Sequence, residues 1–274
     1  MRRCEIELAE VFQSFQNNEL SPILIKGWAA ARNYPADSYR ELGDIDIAFS
    51  SAEFTRASLL KTSSDFNIDL HCELRHYDTT PWHVLFARSE SIQLNEVDIR
   101  VLRPEDHLRV MAIHWLNDGG VNRERLWDIY YAVINRPKDF DWDLCLNSVS
   151  KRRRKWITTT IALTNLHLGL DIAELPLSES DLDIPAWLSK TIAREWSTDV
   201  RMRPLETCLH DRKLFFQQLR KRFPPNPIQA TIEGEGQFND SWRLPIQIRT
   251  AFARVLPSIK RIGMTMKRRI AKGN

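Results

Sequence analysis

The chain has 274 residues, 43% of them hydrophobic and 27% charged, with a formal net charge of +3. That balance excludes disorder as the default and supplies enough apolar material for one large globular domain or two modest ones. No segment approaches the roughly 18 apolar residues of a membrane span, and Glu5, Glu7 and Glu10 fall where a signal peptide needs an unbroken apolar run, so a cytoplasmic chain with no transmembrane segment is expected.

Residues 5–18 set Ile6, Leu8, Ala9, Val11, Phe12 and Phe15 at helical spacings ahead of the polar turn NNELSP. ILIKG, 23–27, reads as a short strand and WAAARNY, 28–34, as a helix, after which a loop opened by Pro35 leads to a strand at DIDIAF, 44–49. AEFTRASLLKT, 52–62, predicts a helix. FNIDLHCEL, 66–74, alternates Ile68, Leu70, Cys72 and Leu74 with polar neighbours, as a strand does, and EVDIRVL, 96–102, predicts another. Helix and strand alternating in this way predict an α/β sheet layer within the first hundred residues.

The texture then changes. RPEDHLRVMAIHWLND opens with a proline suited to a first helical turn and carries Leu108, Met111, Ala112 and Trp115 on one stripe. Helical periodicity continues through ERLWDIYYAVINR, FDWDLCLNSVS, RRKWITTTIALTNLHLG and TCLHDRKLFFQQLRKRF. FPPNPIQATIEGEGQFNDSW, 223–242, reads as a long loop or small irregular excursion. The remainder predicts a helix kinked near Pro257 that ends in a basic stretch. There is no internal repeat and no low-complexity tract. Cys4, Cys72, Cys145 and Cys208 show no metal-ligand or disulfide spacing and are expected to be buried free thiols.

Charge is unevenly spread. Residues 194–274 hold 17 Lys and Arg against 7 Asp and Glu, whereas residues 1–193 hold 22 against 29. A basic C-terminal region with KRRRKW, 151–156, and IKRIGMTMKRRIAK, 259–272, offers contact to a nucleic-acid backbone or an anionic membrane surface, with a solvated helical face as the plain alternative.

The acids in GDIDIAF carry the chemistry. On a strand Ile45 and Ile47 enter a core while Asp44 and Asp46 point the other way, about 6.6 Å apart along the chain. Asp69, in IDLH, lies in the next predicted strand between apolar neighbours, and Asp98, in VDIR, repeats the pattern later. Two acids at i and i+2 with a third on a neighbouring strand suit a two-metal phosphoryl or nucleotidyl transfer site, because hard cations take oxygen ligands and a metal pair can bind both the attacking and the leaving oxygen. Asp69 is preferred as the third acid, since one helix joins its strand to the first, and Asp98 is the reserve.

IKGWAAARNYPADSYRELGDIDIAF together with IDLH resembles the core of the polymerase β-like nucleotidyltransferase superfamily, in particular a bacterial branch with an LKG-type turn, a GDIDL-like strand and an IDLH-like strand. RVLRPEDHLRVMAIHWLNDGG and RLWDIYYAV resemble helical segments of the same branch, so the likeness covers at least residues 22–134. The resemblance implies an α/β (α+β) nucleotidyltransferase-like mixed sheet core over 1–103 and a mostly helical substrate or partner domain with a basic tail over 104–274. It also implies that Asp44, Asp46 and Asp69 are the catalytic, metal-binding triad for Mg2+, with Mn2+ as its substitute, and that the nucleoside triphosphate is bound near Lys26, Gly27, Trp28 and Arg40. Gly27 would let backbone approach the phosphates closely.

Around this triad other residues have two readings each. Lys26 either neutralises phosphate charge or is a surface lysine. Arg40 contacts a phosphate or, by preference, pins its loop to the catalytic strand through a carboxylate. His71 shares the face of Asp69 and orients the carboxylate, carries a proton or makes a structural hydrogen bond. His114 and Asp128 form a buried polar pair between helices or reach the substrate. The expected activity is transfer of a nucleoside monophosphate from a nucleoside triphosphate, ATP among the candidates, to an unidentified small-molecule, tRNA or protein acceptor. The alternatives are a catalytically degenerate nucleotide- or partner-binding protein, favoured by Trp28 where the superfamily often has serine or glycine, and a metal-dependent phosphohydrolase.

Overall fold

A computed structural model of the chain describes residues 2–38, 40–61, 67–198, 200, 202–208 and 210–254. The fold is mixed α+β and divides into two compact units, one formed by the described residues of Met1–His114 and Glu124–Leu182, the other by those of Trp115–Arg123 and Asp183–Asn274. The 103/104 expectation follows the change from strand to helix texture, whereas this division follows packing.

The first unit is built on a five-stranded sheet. In chain order it comprises α1 (Arg2–Asn17), β1 (Ile23–Leu24), α2 (Trp28–Ala31), β2 (Ile45–Phe49), α3 (Phe54–Lys61), β3 (Ile68–Cys72), α4 (Trp82–Arg88), β4 (Glu90–Leu94), β5 (Val97–Val101), α5 (Pro104–Asn117, to His114), α6 (Leu126–Ile134), α7 (Trp142–Leu146), α8 (Lys151–Leu168) and α9 (Glu179–Leu182). Across the sheet the order is β3, β2, β1, β5, β4. The two-residue β1 sits at the centre, antiparallel to β2 through Ile23 opposite Ala48 and parallel to β5 through Leu24 opposite Val101. β2 and β3 are parallel and joined by α3, so the register sets Asp46 beside Asp69 and Ala48 beside His71.

Side-chain alternation along β2 separates the two sheet faces, as the sequence pattern expects. Ile45, Ile47 and Phe49 join Leu8, Val11, Phe12 and Phe15 of α1 in one apolar cluster. Ala48 joins Ile23, Ile25, Leu85 of α4 and Val110 of α5 in a second, smaller one. Asp46 lies on this second face.

Two elements of the sheet region carry no clear signal in the sequence. α4 is a short helix begun by Pro81, and β4 pairs with β5 through a tight hairpin at Asn95 and Glu96, both at positive φ (48° and 66°), the conformation of a two-residue type I′ turn. SESIQLNE is too polar to read as a strand. Its pairing comes from β5, not from its own apolar content.

The second unit is helical: α10 (Ala186–Trp196), α11 (Arg212–Arg222), α12 (Pro227–Glu233) and a helix over 244–254. α12 corrects the expectation of a loop across 223–242. Asn226 caps it by accepting from the backbone N–H groups of Ile228 and Gln229, and Pro227 occupies its first turn, where a missing N–H costs nothing and the fixed φ favours helix. The Asn226 amide also donates to the Gly119 carbonyl at 3.1 Å. Gly119 has φ +78°, and a Cβ there would come within 2.7 Å of the Asn226 side chain. The Pro257 kink and the basic stretch 259–272 lie outside the described residues. Among the described residues no helix is long and apolar enough to cross a membrane. All four cysteines are free, with Cys145 and Cys208 buried and Cys4 and Cys72 half-buried.

Candidate functional site

The sequence after β1 cannot continue as strand. Gly27 adopts φ +63° and ψ −114°, a conformation close to glycine-only, and a Cβ at this position would meet the Asp44 carbonyl oxygen at 3.3 Å. The turn therefore presses against the start of β2, and the Ile25 N–H donates to the Asp46 carbonyl at 3.1 Å. Lys26 thereby reaches Asp46.

Asp46 is 4% exposed and is the centre of the site. Its Oδ1 lies 2.6 Å from Lys26 Nζ and 3.2 Å from His71 Nε2. Burial pushes the Asp46 carboxyl up, but the His71 hydrogen bond and the Lys26 ammonium outweigh it and hold the group below its ordinary value. His71 Nε2 also lies 3.4 Å from Asp69 Oδ2, and Asp69 is more than half exposed. One ligand atom from each of Asp46, Asp69 and His71 falls within 4.8 Å of the others, a spacing that one metal ion could span. Two carboxylates and an imidazole fit a divalent cation chemically.

Lys26 is held from the opposite side as well. Its Nζ donates to His114 Nε2 at 3.0 Å and lies 5.5 Å from the centre of the Tyr77 ring, which packs edge-on against His114. Burial, and then the neighbouring ammonium, push His114 down to about 3, so its neutral ring accepts from the lysine. His107, two turns earlier on α5, is hydrogen-bonded to the Ile25 backbone and is pushed down to about 3, first by burial and then by Arg32. Its Nε2 is buried with no hydrogen-bond partner among the described residues. One face of α5 thus fixes both Ile25 and Lys26.

Of the residues singled out in the sequence, Asp46, Asp69, His71 and Lys26 come together. Asp44 precedes β2, is exposed and is outside the three-ligand group. Asp98 lies on β5, two strands from β2, and holds Gln16, Ser91 and Gln93 through its carbonyl and carboxylate. Trp28 turns to the α1 face, packs against the core there and donates to Glu5 Oε1 at 3.3 Å. Arg40 does pin its loop through a carboxylate, but that carboxylate is Asp128 on α6 rather than one on β2. The contact is bidentate, at 2.7 and 2.8 Å, and Tyr34 donates to the same carboxylate at 2.7 Å. Burial beside the Asp128 charge pushes the Tyr34 phenol up. His114 thus faces Lys26, whereas Asp128 holds Arg40 and Tyr34.

Tyr77 and His107 carry no sequence signal as site residues on their own. A signal did exist for the histidines, because a separation of seven puts His107 and His114 on one face of α5. In KRRRKW two of the arginines are engaged inside the unit: Arg153 is buried and donates to the His76 and Tyr77 carbonyls, and Arg154 pairs with Asp181 at 2.7 Å, whereas Lys151 is exposed. No family model, no curated protein and no solved structure significantly matches this chain.

Proposed function

We propose that the protein is a metal-dependent nucleotidyltransferase of the polymerase β-like kind, which moves a nucleoside monophosphate from a nucleoside triphosphate to an acceptor hydroxyl or phosphate and releases pyrophosphate. The observation that carries this reading is the direct register of Asp46 and Asp69 on parallel strands, beside a glycine turn at positive φ. Asp46 and Asp69 would hold a divalent cation, Mg2+ or Mn2+, which supplies Lewis-acid polarisation of the reacting phosphate and neutralises its charge.

The protein's own groups divide the remaining work. Gly27, lacking a side chain, leaves the backbone of the turn open to a phosphate. Lys26 is within reach of the same site, and its ammonium can pass from Asp46 to the incoming triphosphate. Asp69, the more exposed carboxylate, is positioned to accept a proton from an acceptor hydroxyl. Tyr77 and the neutral His114 keep the lysine aimed at the site.

The test is nucleotide binding and pyrophosphate release with each of the four nucleoside triphosphates, on wild type and on Asp46→Asn. Metal-dependent binding and turnover should both vanish in the variant while its circular dichroism is kept. Turnover retained by Asp46→Asn would remove the assignment. A degenerate binding protein is the second reading, favoured by the position of Asp44 outside the ligand group, and it predicts nucleotide binding without pyrophosphate release.

A further inference from the structure

We infer that His71 is a direct ligand of the metal, so that the site is a mixed nitrogen and oxygen centre that takes Mn2+ in preference to Mg2+. The inference rests on the proposal that Asp46 and Asp69 hold a divalent cation and adds the donor that selects which one. His71 Nε2 faces two carboxylate oxygens at once, 3.2 Å from Asp46 Oδ1 and 3.4 Å from Asp69 Oδ2. A single N–H can be directed well at only one of them. A cation seated among the three atoms satisfies all of them together and displaces the Lys26 ammonium, which lies 2.6 Å from the same Asp46 oxygen. Ligands at about 2.1 Å from an ion in octahedral geometry are about 3 Å apart along each edge, close to both observed separations.

The strand register explains how the imidazole gets there. Asp69 and His71 are two apart on β3 and share a face, and the residue beside His71 on β2 is Ala48. A methyl group at that position leaves the ring free to lean toward Asp46. Asp44, the oxygen donor that an all-carboxylate magnesium site would use, is exposed and stands outside the group. Replacing an oxygen donor by an imidazole moves preference from the hard, reluctantly dehydrated Mg2+ toward first-row transition cations, and retaining two carboxylates keeps Mn2+ within range.

The competing account makes His71 only a hydrogen-bond donor that orients Asp46, and pulsed electron paramagnetic resonance separates the two. Mn2+ added alone to the untagged full chain should show modulation from a directly bound imidazole nitrogen. The modulation should be absent in His71→Gln. Competition should show Mg2+ displacing Mn2+ from wild type only at about tenfold or greater excess, an advantage that shrinks in His71→Gln, where the amide oxygen substitutes for the ring. Bound Mn2+ without nitrogen modulation, or displacement by equimolar Mg2+, overturns the inference and leaves metal-dependent nucleotidyl transfer standing. Nitrogen modulation without pyrophosphate release does the reverse: the ligand assignment holds and the enzymatic reading falls. No Mn2+ binding at all also overturns the inference, while pyrophosphate release with Mg2+ in that case would keep the enzyme and return Asp44 to the site.

Discussion

The two faces of the sheet are made from the same strands and do different jobs. The α1 face has an apolar core, with Leu8, Phe12 and Phe15 against Ile45, Ile47 and Phe49, and Phe15 meeting Phe49 edge-on at 4.9 Å. The α5 face has a smaller apolar cluster and beside it a set of buried or half-buried polar groups: Asp46, Lys26, His71, His107 and His114. The first face supplies stability that is indifferent to pH. On the second, buried polar groups persist only while each keeps its partner and its protonation state.

Acidification should separate the faces most. His107 and His114 are neutral in the folded protein down to about pH 3, whereas the unfolded chain protonates them near 6.5. The unfolded state therefore binds more protons between those limits, and stability falls as pH drops through that window, by up to about 1.4 kcal/mol per pH unit for each histidine. Asp46, with its folded value depressed, adds loss in the same direction below the ordinary carboxylate range. Urea midpoints measured from pH 7.5 to 4 should show this slope, and His107→Gln should make it shallower. An unchanged slope in that variant would mean His107 is solvated in solution.

Phe12→Ala attacks the other face. Phe12 is fully buried, so its truncation should cost about 3–5 kcal/mol, by the same amount at pH 7.5 and pH 5, and leave the metal affinity of the folded fraction unchanged. A pH-dependent loss would show that the two faces are coupled.

The smallest effect is expected at the turn where the faces meet. Gly27→Ala should cost about 1–3 kcal/mol from the backbone conformation alone, with a further loss in triphosphate affinity as the methyl crowds the Asp44 carbonyl. Chemical denaturation and nucleotide titration on the same preparation would measure both. An affinity loss with no stability loss would locate the methyl against the ligand instead of against the fold.

Most of the first unit was legible because its elements carry their own period. The apolar stripe of α1, the alternation in β2 and β3 and the proline start of α5 each identify an element without reference to its neighbours. β4 is specified by its partner strand, and α12 by a cap and a proline in a stretch whose Pro and Gly content reads as loop. α10 carries a helical pattern of its own in AWLSKTIAREW.

The candidate site divides along the same line. Asp46 and Asp69 announce themselves as acids between apolar residues, which a strand explains only by giving them a separate face. Lys26 could be named but not assigned a partner, since His114 is 88 residues away and Tyr77 comes from the segment after β3. Trp28 and Arg40 sit beside the right motif yet turn to Glu5 and Asp128. Adjacency in sequence does not choose the side of a turn on which a residue emerges.

The two contacts of α5 with the end of β1 also set a ruler. His107 holds the Ile25 backbone and His114 holds the Lys26 ammonium, and their separation of seven residues makes nearly two complete helical turns. Adding or deleting one residue there would swing one imidazole by about 100° around the helix axis and separate the two grips. The side chains between these points, Leu108 to Ile113, are all buried, so packing fixes their size while the two grips fix their number. In the lineage of this protein that interval should refuse any change of length.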